Sequence, residues 1–538
     1  MMGYTRLAAS AAMICLACAA QVRAGRYEQI TKRFAQGPHM TPAGATFFGG
    51  GSDEAFVAAG QLHDGRIVAV GNAWGPEFPA KPQAAVLGKG AHAGATGFVE
   101  QTCRKRKKTL KRTVINHASP DQAGFVVWYD AALARVERVV RLDWGVGRFC
   151  NATVAPDGRT VYVVGVSGPA FASLKGACTV TGADAGAFVM KLAPSGKVAW
   201  VSVVPDVGVP DKIWPDPAGG CTFQAVAKGM YTLVRAGADG RASVVMAKKG
   251  RSKTHFKAID PTDAGVLFGG DRNTHTGREP WRQPYLYKYD AKGNTLWTLW
   301  EWSPKGLRDG VTPGQGLVSD SSITCVAFAA NGDMVCGGWS DGGNSVFTRQ
   351  PRDLAKKAPK GLMGIETWGA KGASSNGWIL RIRMTDFVQV GGTKWAAFIP
   401  EGFDGGKGNW PNSAKVDQLV FLANQDIAIR GSAATGMMPT PNAFFIRPKD
   451  YPGKYGGQYV ATFRADLSNA TFCSYLPGYL SSNIAATKAG LLIVGQTARD
   501  DGRDGLKTKP PLGKRPAQRA FGGGHTDAHI ILLKLPGK

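Results

Sequence analysis

The chain has 538 residues, a net charge of +26 and 44% hydrophobic residues. That apolar content excludes disorder over most of the length, and no later stretch is long and apolar enough to cross a bilayer as a helix. With 72 glycines and only short apolar segments, the composition predicts an all-β protein.

Residues 1–24 read as a secretory leader. Arg6 supplies a positive start, Leu7 to Ala20 is almost wholly apolar, and Val22-Arg23-Ala24 precedes Gly25 as a cleavage site. The apolar run is about 14 residues, short of the about 20 a spanning helix needs. A lipoprotein would acylate Cys18, but Cys15 stands where a leucine is wanted. The predicted mature chain is therefore residues 25–538, with no transmembrane segment, and is secreted, periplasmic or at the cell surface. Loss of Arg6 and Arg23 leaves it at +24.

In chain order, Tyr27 to Phe34 is the first strand pattern and belongs to no later unit. Then one motif recurs: a turn, then a β-rich strand usually closed by glycine. It appears at Asp64-Gly65 through Gly71, Asp157-Gly158 through Gly165, weakly at Met230 to Val234, and at Val266 to Gly269. It returns at Asn331-Gly332 through Gly337, Asp426 to Gly431 and Gly490 to Gly495. Asn-Gly and Asp-Gly between apolar runs predict hairpins, because both residues tolerate positive φ. A further strand follows six of them at variable distance: Phe125 to Asp130, Phe188 to Leu192, Tyr285 to Asp290, Trp378 to Ile382, Tyr459 to Phe463 and His529 to Leu533. Ser195-Gly196-Lys197 and Lys292-Gly293-Asn294 then lead to Trp200 and Trp297.

Each unit reads as a four-stranded meander, which cannot bury both faces alone. Stacking the units around an axis solves this. The prediction is a single β-propeller domain over 25–538 with seven four-stranded blades, six or eight remaining open. The third unit is compressed and its fourth strand is not apparent. The last blade lacks an outer strand, and an N-terminal strand, Tyr27 to Phe34, is expected to supply it.

The stretch Ala187 to Gly196 with Trp200, and Tyr287 to Gly293 with Trp297, resemble the bacterial exported β-propeller repeat (SBBP-type). The resemblance implies the fold and export; it implies no catalytic residue. Trp200 and Trp297 also resemble, more weakly, the tryptophan-docking strands of quinoprotein propellers, whose paired adjacent cysteines are absent here. Packing between blades is the alternative role for both.

The predicted second-to-third connections are long: 72–123, 166–186, 271–283, 339–376, 432–457 and 496–526. They make up about a third of the mature chain and carry about two-thirds of its excess charge. The densest run is Arg104, Lys105, Arg106, Lys107 and Lys108, extended by Lys111 and Arg112. A second gathers Lys514, Arg515 and Arg519 near Lys507 and Lys509. Such runs attract polyanions by steering and counterion release. Given export, an acidic polysaccharide, an envelope polymer or an acidic protein is the expected partner rather than nucleic acid.

Chemistry is less legible. Seven cysteines follow the leader, without C-x-x-C, so zinc ribbons and covalent haem are unsupported. Cys325 and Cys336 flank one turn and read as a bond or two free thiols. No G-x-S-x-G, P-loop or H-E-x-x-H occurs. No cofactor is predicted and no metal is assigned. The weak candidates are Asp500, Asp501 and Asp504 for calcium and the His525, Asp527, His529 alternation. The reading favours an exported binding or scaffold propeller of the cell envelope, with a propeller hydrolase or oxidoreductase bearing an axial site, or a structural surface repeat protein, as alternatives.

Overall fold

A computed structural model describes residues 40–536 apart from 76, 80–82, 93–97, 106–107, 116–121, 251–253, 274–281, 301–319, 341–344, 355, 363–374, 396–413, 434–439, 441, 445–456, 477–478 and 499–511. The leader and the Tyr27 to Phe34 segment lie outside these.

The turn chemistry builds the hairpins. Gly65, Gly158 and Gly332 take φ of 89°, 65° and 84°. The preceding side chains accept the backbone N–H two residues on, at 3.1 Å for Asp64, 2.7 Å for Asp157 and 3.1 Å for Asn331. Such Asx turns fix the reversal and hence the register of the flanking strands.

The strands form meanders. The first comprises Asp53–Gln61, Ile67–Trp74, Gln122–Tyr129 and Val136–Leu142; the second Gly147–Val154, Val161–Ser167, Ala187–Leu192 and Val198–Val204. The third is Val209–Pro215, Gly220–Ala227, Met230–Gly237 and Ala242–Lys249, and the fourth His255–Ile259, Val266–Asn273, Arg282–Tyr289 and Thr295–Leu299. Ser321–Phe328, Met334–Ser340, Asn376–Arg383 and Val388–Trp395 make the fifth; Ala414–Phe421, Ile427–Ala433, Gly457–Phe463 and Ala470–Tyr475 the sixth. The last joins Tyr479–Ala486, Gly490–Ala498 and Thr526–Lys534 to Thr41–Phe48.

Three expectations are corrected. Hydrogen bonding does not give seven separate four-stranded sheets. It gives five, plus a ten-stranded sheet in which the first two meanders are fused at the parallel pair Ala123–Gly147, and a separate two-stranded sheet. The closing outer strand is N-terminal, but it is Thr41–Phe48, antiparallel to Thr526–Lys534. In the third meander Met230–Gly237 is the third strand, not the second. A two-residue turn with positive φ at Lys228 (47°) and Gly229 (78°) replaces the long connection, which is the twist-matched tight hairpin. The fourth strand, Ala242–Lys249, is present.

The meanders close a β-propeller ring. Each packs on the next in sequence, and the inner strand Asp53–Gln61 of the first packs on all three chain-end strands of the last. Each apolar cluster spans one junction; Val70, Phe149 and Phe188 between the first two meanders, and Phe48, Phe125 and Leu492 at the ring seam, are examples. Trp200 and Trp297 also pack between blades. Trp200 donates from Nε1 to Ala238 O of the third meander at 3.2 Å, and Trp297 meets Phe387 of the fifth edge-on at 5.6 Å.

Polar clasps repeat the ring at its inner wall. Asn72 holds Phe149 N and O, both at 2.7 Å; Asn151 donates to Asp211 O at 2.9 Å; Gln224 accepts Phe256 N–H at 2.7 Å. Lys257 donates to Thr324 O at 3.4 Å and Thr324 to Val416 O. Gln418 holds Ile484 N and O at 2.9 Å, and Asn483 donates to Val57 O at 2.5 Å. Every junction thus satisfies inner-strand backbone with a neighbour's side chain, as buried amides require.

Cys325 and Cys336 are free thiols. They sit on adjacent rungs of one hairpin and belong to different apolar clusters, so they point to opposite sheet faces.

Candidate functional site

The inner strands carry an irregularity that sequence patterning did not expose. Pairing of inner with second strand skips Val57, Cys150, Asp211, Lys257, Thr324 and Asp417 in the first six meanders. A β-bulge re-aims side chains locally. It also explains the recurrent glycine. A Cβ at Gly71, Gly165, Gly338 or Gly431 would strike the inner-strand carbonyl of Ala55, Arg148, Ser322 or Lys415. Only glycine lets the bulged strand approach that closely.

Four meanders, the third to the sixth, frame a cavity of about 410 Å3. Inner strands contribute Lys212, His255, Thr324, Lys415 and Asp417; the ends of second strands contribute Trp339 and Ser432. Second strands end, and inner strands begin, on the face that bears the long connections, which places the cavity there.

Its charges are unevenly satisfied. Among the described residues, Lys212 has no hydrogen-bond or ion-pair partner for its ammonium, and burial pulls it below the usual lysine range. The Lys415 ammonium stands 5.5 Å from the Trp339 ring centroid, a cation–π distance. Asp417 Oδ2 pairs with Arg430 Nη1 at 3.2 Å.

His255 is fixed at both nitrogens. Nδ1 lies 2.8 Å from Phe256 O, and Nε2 lies 2.9 Å from Lys257 Nζ. The carbonyl demands a proton on Nδ1, which makes Nε2 the acceptor. Burial, then Lys212 and Lys257, hold the imidazole well below its ordinary range, so it is neutral. Burial and then Lys212 likewise lower Lys257. Burial pushes the Cys325 thiol up to about 11, which keeps it protonated at neutral pH.

The described residues singled out from sequence are not in this lining. Arg104 and Lys105 end strand Phe98–Lys105; Lys108, Lys111 and Arg112 lie on Lys108–Ile115. These pair as a hairpin with Lys105 opposite Lys108. The basic run expected as loop is therefore strand on both sides of Arg106 and Lys107, which are outside the described residues. Lys514, Arg515 and Arg519 are exposed. None of the described basic candidates lines the axial cavity.

Asp500, Asp501 and Asp504 also fall outside the described residues. The His525, Asp527, His529 alternation does not converge: His525 precedes the strand and is exposed, Asp527 accepts Gly522 N–H at 2.7 Å, and His529 Nδ1 meets Tyr479 OH at 2.6 Å. Among the described residues no three His, Cys, Asp or Glu side chains are placed to hold a metal.

A second polar locus sits at the ring seam. Asp53 accepts the N–H groups of His525 and Thr526 at 2.6 and 2.9 Å. Glu54 is fully buried, and burial, with Asp527 nearby, lifts its carboxyl well above the usual range. Burial raises Asp527 to about 7.

No family model matches the chain, and no curated protein matches it. Among solved structures, the RRP9 WD40 repeats align over 92% of this chain and 99% of theirs at 9% identity and a TM-score of 0.37. A Bacteroides caccae protein of unknown function aligns over 65% and 89% at 8% identity and a TM-score of 0.31. A Lactobacillus plantarum protein aligns over 78% and 94% at 9% and 0.32. At this distance they carry no functional inference; the fold rests on the strand pairing. Among the described residues no helix is long and apolar enough to cross a membrane.

Proposed function

We propose that the chain is an exported, seven-bladed propeller of the binding or scaffold kind, which holds an anionic ligand in its axial cavity. The ten-stranded sheet acts as two blades, because one bridge pair joins two complete meanders. The observation that carries the reading is the pair of ammoniums, Lys212 and Lys415, facing one cavity without an ion-pair partner among the described residues. Half-buried cations left uncompensated are costly, and an incoming anion relieves that cost. The basic connections on the same face add long-range attraction for an acidic polysaccharide or envelope polymer.

Binding is favoured over catalysis by His255. Both of its nitrogens are committed to protein partners, so it offers no free base to a substrate.

The test is retention of residues 25–538 on immobilised anionic polysaccharide and on DNA across a salt series. Retention that falls steeply with salt, and that K212Q and K415Q weaken, supports the axial reading. Retention lost only on neutralising Arg104 to Lys108 moves the site to that basic hairpin, and no retention in any form overturns the proposal.

A further inference from the structure

We infer that the axial ligand is a sugar acid, a hydroxylated molecule carrying a carboxylate; this rests on the reading of the cavity as an anion site. The evidence is the company the two lysines keep. Asp417 lines the same cavity, and only its Oδ2 is engaged, by Arg430 at 3.2 Å. Its Oδ1 has no hydrogen-bond partner among the described residues, and neither has the Ser432 hydroxyl. The cavity therefore presents two ammonium donors, one carboxylate acceptor and one hydroxyl.

Different anions meet this set differently. Inorganic phosphate at neutral pH brings mostly acceptors and would set negative charge against Asp417. Acetate satisfies a lysine and leaves Asp417 Oδ1 unmatched. A neutral sugar offers hydroxyl donors to Asp417 and no charge to Lys212 or Lys415. A uronic acid does both: its carboxylate takes the ammoniums and its hydroxyls donate to Asp417, each a charge-assisted bond of the stronger class. The volume of about 410 Å3 lies in the small-ligand range of about 300–1,000 Å3.

The source can be a free monosaccharide or the uronate residue of an acidic polysaccharide. Titration calorimetry of residues 25–538 with D-glucuronate, D-glucose, acetate and inorganic phosphate tests the class. The expected result is glucuronate binding at least about tenfold tighter than acetate or phosphate, with glucose inert. D417N should remove that advantage while acetate affinity is retained, and K212Q or K415Q should abolish glucuronate binding.

Tighter binding of tri-galacturonate than of monomeric galacturonate, itself bound in preference to acetate, supports the polymer source, and equal binding supports the free sugar. Acetate or phosphate binding as tightly as glucuronate overturns the sugar-acid inference and leaves the anion site standing. Equal binding of glucose, or no binding of any probe, overturns both. The wild-type selectivity series decides the matter even where a variant fails to fold.

Discussion

Lys257 places its Nζ 2.9 Å from Nε2 of His255 while donating to Thr324 O of the next blade at 3.4 Å. One buried side chain thus clasps a blade junction and adds to the burial and the Lys212 charge that keep a cavity residue neutral. Replacing it with methionine should cost about 1–3 kcal/mol, because the Thr324 carbonyl loses a buried donor. It should also raise the pKa of His255, since a positive neighbour is removed. Carbon-detected imidazole titration would show the wild-type ring neutral below the ordinary histidine range and the K257M ring moving back towards it. An unmoved ring would mean that burial and Lys212 set its state without Lys257.

The same depressed imidazole has a stability consequence. The folded state refuses a proton that the unfolded chain accepts near pH 6.5. Stability should therefore fall as pH drops below about 6.5, and replacing His255 with a neutral residue such as glutamine should flatten that decline. Thermal melting between pH 7.5 and 5 measures it; an acid limb identical in H255Q assigns the loss to other groups.

Gly431 and the Lys415 carbonyl give a structural handle on the cavity. A Cβ at Gly431 collides with Lys415 O, so G431A must push back the strand bearing Lys415 and Asp417. The expected cost is about 1–3 kcal/mol, with weaker anion retention. G332A is the contrast. Its added methyl meets nothing, though φ is 84°, so it should cost about 1 kcal/mol and leave retention intact.

The seam carboxyls run the opposite way to the imidazole. Asp527 is raised from 3.8 to about 7 by burial, and Glu54 is raised by burial and then by Asp527. Raised acids bind protons in the folded state that the unfolded chain has released. Their contribution is complete below the ordinary carboxyl range and is lost as pH climbs through each raised value, about 7 for Asp527. E54Q should therefore raise Tm at pH 8 by about 2–4 °C and change it little at pH 4. Equal gains at both values would remove titration from the explanation.

The blade repeat was legible because its signals are local: Asp-Gly and Asn-Gly turns, period-two apolar strands and a terminal glycine. Asp64-Gly65 and Asn331-Gly332 sit at hairpins as read. The axial site was not legible, because Lys212, His255, Lys415 and Asp417 come from three blades and meet only through ring closure. Their strands gave no warning, since a bulge at Asp211 or Asp417 shifts which residues face the axis without altering composition. Charge density instead favoured Arg104–Lys108, which is prominent in sequence but whose described members are not among the cavity lining. Merging of the first two meanders depends on the single pair Ala123–Gly147, for which no residue type is diagnostic.

Closure of the ring was anticipated in kind and misplaced by some fourteen residues, and that difference yields a sharp test. Tyr27 to Phe34 looked like the missing strand because it alternates and stands alone. Thr41–Phe48 is the strand that pairs with Thr526–Lys534, in register from Thr41–Lys534 to Phe48–Ala528. Phe48 anchors it, 2% exposed and against the rings of Phe56 at 6.1 Å and Phe125 at 5.1 Å. F48A should cost about 3–5 kcal/mol. Beginning the chain at Gly49 should do more, because it strips the outer edge of Thr526–Lys534 and opens the seam beside Asp53 and Asp527. Beginning it at Gly37 should leave the melting curve nearly unchanged. A large loss of Tm already at Gly37 would return the closing role to the Tyr27 to Phe34 segment, and an unchanged curve at Gly49 would mean that the ring holds without its outer strand.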